Sequence, residues 1–107
     1  MELIKYDFVK GNSSKEWIFE AIDIQLNDDW EGRLVVKKSL NDDEKIVDKV
    51  IDLDKETNRF IAYLEPDESD IEVGEYILTI ELKNDKISPK YKKEVYQIIL
   101  NIVPAGV

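Results

Sequence analysis

The sequence predicts an all-β fold, an antiparallel β-sandwich of about seven strands, from three observations. Apolar and polar residues alternate in successive short runs. Turn-forming clusters separate those runs at intervals of roughly 8–12 residues. One stretch, Leu64 to Leu82, joins an acidic turn to the most regularly patterned run through Gly74, Glu75 and Tyr76. In that run Tyr76, Leu78, Ile80 and Leu82 share a face, because successive side chains of a strand point to opposite sides. Gly74 allows a backbone conformation that turns a corner into a core strand. Tyr76 is then expected to carry its ring into the core and its hydroxyl back to the turn's backbone between Asp70 and Val73.

The elements follow in order. Glu2 to Val9 is a first strand, with Ile4, Tyr6 and Phe8 on one face, and Gly11 to Ser14 is a turn by composition. Glu16 to Leu26 is longer and changes phase: Trp17, Phe19 and Ala21 alternate first, then Ile22, Ile24 and Leu26. A bulge near Glu20 and Ala21, or a strand that switches sheets, would account for that. Asn27 to Gly32 is a loop, and Arg33 to Lys38 a third strand with Leu34 and Val36 inward. After the acidic turn Asn41 to Glu44, the run Ile46 to Leu53 places Val47, Lys49, Ile51 and Leu53 on one face and Ile46 and Val50 on the other, the mixture of an edge strand or of one leaving its sheet. Arg59 to Leu64 returns with Phe60, Ala62 and Leu64. The corner strand ends at Lys83, and Tyr91 to Val103 closes the chain with Tyr96, Ile98, Leu100 and Ile102 on one side and Val95, Ile99 and Val103 on the other. Helix is expected only as a single turn, around Asp54 to Asn58 or after Pro66.

The 107 residues suit one domain spanning the whole chain, and 43% hydrophobic content is enough for a core. The chain is acidic: 24 acidic against 15 basic residues give a net charge of −9, which disfavours nucleic-acid phosphates and anionic membranes as partners. Cysteine and histidine are both absent, which removes disulfides, thiolate chemistry, the commonest general base and the commonest transition-metal ligand. The opening MELIKYDFVKG lacks the apolar core of a signal peptide, so the expected location is the cytoplasm or a particle assembled there.

Three constellations bear on function. In an immunoglobulin-like strand order one end of the sandwich would gather Asp28, Asp29, Asp52, Asp54, Asn84 and Asp85, and the other Asp42, Asp43, Glu44, Asp67, Glu68 and Asp70. These are oxygen ligands of the kind calcium takes, but no calcium-loop motif is present, and acidic turns are the ordinary solvated ends of an acidic protein. The expectation is therefore no metal and no cofactor. Serines lack a nucleophile-elbow context and the four glycines stand far apart, so no enzyme activity is expected. Trp17 reads as a core residue; Trp30, flanked by acidic residues, either closes the core or anchors an interface. The second face of the last strand, Val95, Ile99 and Val103 with Lys83 and Lys93 at its rim, is expected to meet another copy or a neighbouring protein.

Four stretches carry a resemblance: Lys10 to Ser13 leading into the aromatic run Trp17 to Leu26; Trp30, Glu31 and Gly32 before the third strand; Phe60 to Leu64 before an acidic stretch; and Ile71 to Tyr76 opening the corner strand. Together they are similar to the small immunoglobulin-like β-sandwich modules of tailed phages and prophages, including the N-terminal domain of baseplate upper proteins. The pattern departs from antibody domains, having Leu78 where those carry a cysteine and Glu72 where the tyrosine corner usually has aspartate. The resemblance implies a non-enzymatic virion part that binds copies of itself or neighbouring virion proteins. The competing expectation is a free-standing binding domain: a carbohydrate- or calcium-dependent adhesive module, or an acidic inhibitor that mimics nucleic acid.

Overall fold

The alternation is realised in strands β1 (Lys5–Val9), β2 (Trp17–Glu20), β3 (Trp30–Lys37), β4 (Val47–Asp54), β5 (Arg59–Ala62), β6 (Gly74–Asn84) and β7 (Tyr91–Val103), with one helical turn, α1 (Pro66–Ser69). The computed structural model describes residues 4–12, 16–21, 24–39, 41–84, 86 and 91–104, with only the backbone described at 91–95. The strands run in the order β1-β7-β6-β3-β4-β5-β2. They form a seven-stranded sheet curled into a half-barrel.

The sheet is mixed. Every neighbouring pair is antiparallel except β1 and β7, which run parallel with Lys5 opposite Ile99 and Val9 opposite Val103. This corrects the purely antiparallel expectation, and the physical reason is simple. Alternation fixes which side of β1 faces the core, here Tyr6 and Phe8, and is the same for either strand direction.

β4 produces the curl. Its first half pairs with β3 from Val47 to Ile51, and its second half pairs with β5 from Asp52 to Asp54. Gly32 lies opposite Ile51 at this bend, where an added Cβ would come 2.7 Å from Ile51 Cγ1. The glycine permits the close approach of β3 and β4 there. Leu34, Val36, Tyr76, Leu78, Ile80, Leu82, Ile98, Leu100 and Ile102 fill the concave side, the most completely buried part of the core.

The open side of the half-barrel is spanned by aromatic rings. Tyr6 of β1 meets Trp17 of β2 edge-on at 5.8 Å, and Phe19 of β2 lies 5.0 Å from Phe60 and 4.7 Å from Tyr96 of β7. Such pairs add to the gain from burial alone. Burial, with a smaller contribution from Tyr6, pushes the Tyr96 hydroxyl above the ordinary tyrosine pKa.

The predicted strand Glu16 to Leu26 stops at Glu20, and Asn58 accounts for the change of phase that follows. Asn58 sits in the β4–β5 turn at φ 57°, a left-handed conformation that asparagine tolerates better than most residues. Its side chain accepts from Leu26 N at 2.7 Å and donates to Ala21 O at 3.0 Å and Ile24 O at 2.7 Å. Backbone that would otherwise continue a strand is bonded to one side chain. The loop predicted from Asn27 to Gly32 is shorter than expected, since β3 already begins at Trp30.

Candidate functional site

Two parts of the surface bring potentially functional side chains together. The first surrounds the corner. Gly74 enters β6 at φ 149°, and Tyr76, 4% exposed, donates its hydroxyl to Glu72 O at 2.6 Å. Burial first, and the nearby Glu72 charge second, raise the Tyr76 pKa. Beside it lies a cleft of about 520 Å3 with Ile46, Ile71 and Tyr76 among its walls. Asp42, Glu44, Asp70 and Glu72 supply carboxylates, and Lys10 and Lys38 supply amines. Lys10 is already engaged, donating to Ile71 O at 2.8 Å and pairing with Asp70 at 3.3 Å. Asp42 accepts from Glu44 N, closing its own turn. Ser69, fully buried on α1, donates to Asn12 O at 2.6 Å, which ties the helical turn to the end of β1. Glu68, expected at this end with Asp42 and Asp70, instead pairs with Lys49.

The opposite end is divided among local contacts. Asp28 pairs with Lys55, Asp54 accepts from Glu56 N and Thr57 N, and Asn84 accepts from Lys86 N. The hydrogen bonds from Thr57 hold the Asp54 carboxyl below its ordinary pKa. Asp52 is an exposed residue within β4, and Asp85 lies outside the described residues. Among the described residues, no group of three or more Asp, Glu, His or Cys converges as a metal would require. No helix among them is long and apolar enough to cross a membrane.

The predicted interface on β7 is partly redrawn. Ile99 and Val103 are half-buried, with Ile99 flanked in the register by Lys5 and Ile77 and Val103 by Val9. The Val95 and Lys93 side chains lie outside the described residues. The β6–β7 register passes from Ile80–Tyr96 to Glu81–Glu94, so Val95 is the extra residue of a bulge in the backbone pairing. Lys83 is half-buried and lies opposite Glu31. Trp30 is no surface anchor: it is 8% exposed and joins the core. The reason is its place on β3, in phase with the inward residues Gly32, Leu34 and Val36.

The second part of the surface has no counterpart among the residues expected from the sequence. On the outer side of β2, β5 and β4, Ile18 is 58% exposed, Val50 59% and Tyr63 37%. Ile61 lies between them, opposite both Ile18 and Asp52 in the register. None of the four belongs to the hydrophobic core cluster. Val50, Ile61 and Tyr63 line a depression of about 160 Å3 with Lys49, Asp52, Glu65 and Glu68 among its other walls. One wall is firmly fixed: Lys49 Nζ is 2.6 Å from Glu68 Oε1 and 4.5 Å from the centre of the Tyr63 ring, and the same Glu68 oxygen accepts from Glu65 N at 2.8 Å. The available signal was Ile18, Val50 and Ile61 standing out of phase with the core-facing residues of their own strands. No protein-family model, curated protein or solved structure matches the chain.

Proposed function

We propose that the chain is a non-enzymatic structural or interaction module of a phage or prophage particle, built as an immunoglobulin-like sandwich. Three features support the fold assignment. Within the continuous sheet, the local strand orders β7-β6-β3 and β2-β5-β4 match those of the two sheets of that fold, with β3 and β4 also paired here. Tyr76 near the start of the sixth strand bonds to backbone four residues upstream, as a tyrosine corner does. Trp30 is a buried tryptophan on the third strand.

The observation that carries the interaction role is the exposed apolar set Ile18, Val50 and Tyr63 around Ile61 on one outer sheet face. Apolar residues gathered beside a depression, on an otherwise highly charged protein, are the mark of a surface that meets another protein. The particle assignment rests on the family resemblance of the sequence, and its partners are other copies or neighbouring virion proteins. The test is co-expression of the tagged chain with the products of the genes flanking its own. Recovery of a virion structural protein in fixed ratio is the expected result. A chain that sediments as a free monomer and retains none of those products would refute the role.

A further inference from the structure

We infer that the outer face of β2, β5 and β4 docks a basic polypeptide segment, with apolar residues laid over Ile18, Ile61 and Val50 and lysine or arginine reaching the rim. The inference rests on the interaction-module reading and names the chemistry of the partner.

The depression fixes the scale. At about 160 Å3 it is smaller than the several hundred Å3 of sites that enclose a small-molecule ligand, and it suits a single inserted side chain. Its wall is prepared in advance, because Lys49, Tyr63 and Glu68 hold one another in place. A partner therefore meets a surface that needs little ordering, which lowers the entropic cost of association.

The rim fixes the charge. Lys49 is neutralised by Glu68, and Arg33, next to Val50 in the register, is held between Glu31 and Asp48. Arg59 lies opposite both Glu20 and Asp54, one cation between two carboxylates. Asp52 stands exposed at the edge of the depression with no cationic partner among the described residues, and Glu65 adds another carboxylate there. Among the described residues Lys49 and Arg33 are thus paired, Arg59 faces two carboxylates, and carboxylate is in excess. A second copy of the chain, itself at −9, would bring like charge to this face, whereas a basic segment brings the complementary sign.

The test uses the intact chain and two peptides of roughly eight residues, about one strand long, one alternating lysine with valine and the other glutamate with valine. Amide chemical shifts are followed by NMR during each titration. The lysine peptide is expected to move signals of β2, β5 and β4 from Val50 onward, more at low salt than at high. Val50→Ser, which removes apolar surface, and Asp52→Lys, which reverses the rim charge, are each expected to weaken it about tenfold, or ~1.4 kcal/mol. Absence of shifts with either peptide, or an equal response to the glutamate peptide, would overturn the inference. Shifts centred on the Tyr76 cleft would move the docking site and leave the interaction-module reading intact. Self-association lost in Val50→Ser would replace the basic partner with a second copy. If the lysine peptide binds as expected while no virion protein is retained by the chain, the particle role fails and this surface stands.

Discussion

Replacing Asn58 tests how far one side chain holds the irregular stretch between β2 and β3. Its amide makes three hydrogen bonds, to Leu26 N, Ala21 O and Ile24 O, and Leu26 and Ala21 are themselves buried. A typical hydrogen bond contributes about 0.5–1.5 kcal/mol net, and partners left unpaired without water cost more. Asn58→Gly keeps the left-handed backbone accessible and removes only the side chain, so roughly 2–4 kcal/mol of stability should be lost. Asn58→Ala should lose about 1 kcal/mol beyond that, because a Cβ at φ 57° is strained. Urea unfolding of the wild type and both variants, with the slope checked for constancy, measures the two contributions separately. A glycine variant within about 0.5 kcal/mol of wild type, the scale of ordinary surface changes, would refute the reasoning.

Gly32→Ala should destabilise by about 1–3 kcal/mol through overpacking against Ile51, read from thermal unfolding. Tyr76→Phe should cost roughly 1–2 kcal/mol for the lost bond to Glu72 O, read from the urea midpoint. Because the Tyr76 pKa is raised in the folded protein, its contribution is complete below about pH 10 and is lost as pH rises through the folded value, so the Phe variant should lose less stability than wild type over that range. At Asp48, burial would raise the pKa, but the hydrogen bond and charge of Arg33, aided by Lys45, outweigh it and leave the carboxyl below its ordinary value. Its stabilisation is therefore present above about pH 4 and lost as pH falls through the folded value, and Asp48→Asn should flatten the acid limb of the stability profile.

What the sequence disclosed, and what it withheld, follows from the range of each cause. The alternation of Tyr76, Leu78, Ile80 and Leu82 reports on its own strand, and those four are buried together. Gly74 and the Tyr76–Glu72 bond are equally local, spanning a few residues. The direction of β1 depends on a strand at the far end of the chain, and its own pattern is blind to that choice. Asp28, Asp29 and Gly32 have turn chemistry that marks Trp30 as loop, yet Gly32 is there to admit Ile51 from another strand. The bulge at Val95 shifts the pairing with β6 without marking the residues around it. The role of Asn58 leaves no mark in the sequence around it, because its three partners lie more than thirty positions away. At the candidate surface, Ile18 and Val50 were visible as apolar residues out of phase, but periodicity alone does not say which face stays wet.

The same distinction separates the two apolar faces. Ile99 lies between Lys5 and Ile77 in the register, beside an ion pair between Lys5 and Glu75 and a hydrogen bond from Gln97 to Thr79. Its neighbours in the chain already cover much of it, so a partner has less apolar surface left to remove from water there. Val50 and Ile18 remain mostly exposed, and burial gain scales with the area removed. Ile99→Asp should therefore behave as a folding variant, losing about 1–3 kcal/mol as a half-buried apolar side chain is replaced by a carboxylate. Val50→Ser should stay within about 0.5 kcal/mol of wild type. Thermal unfolding of the two variants decides between the faces. If Ile99→Asp unfolds like wild type while Val50→Ser is destabilised, the β7 side is the free surface and the outer face of β4 belongs to the part of the protein that holds the fold together.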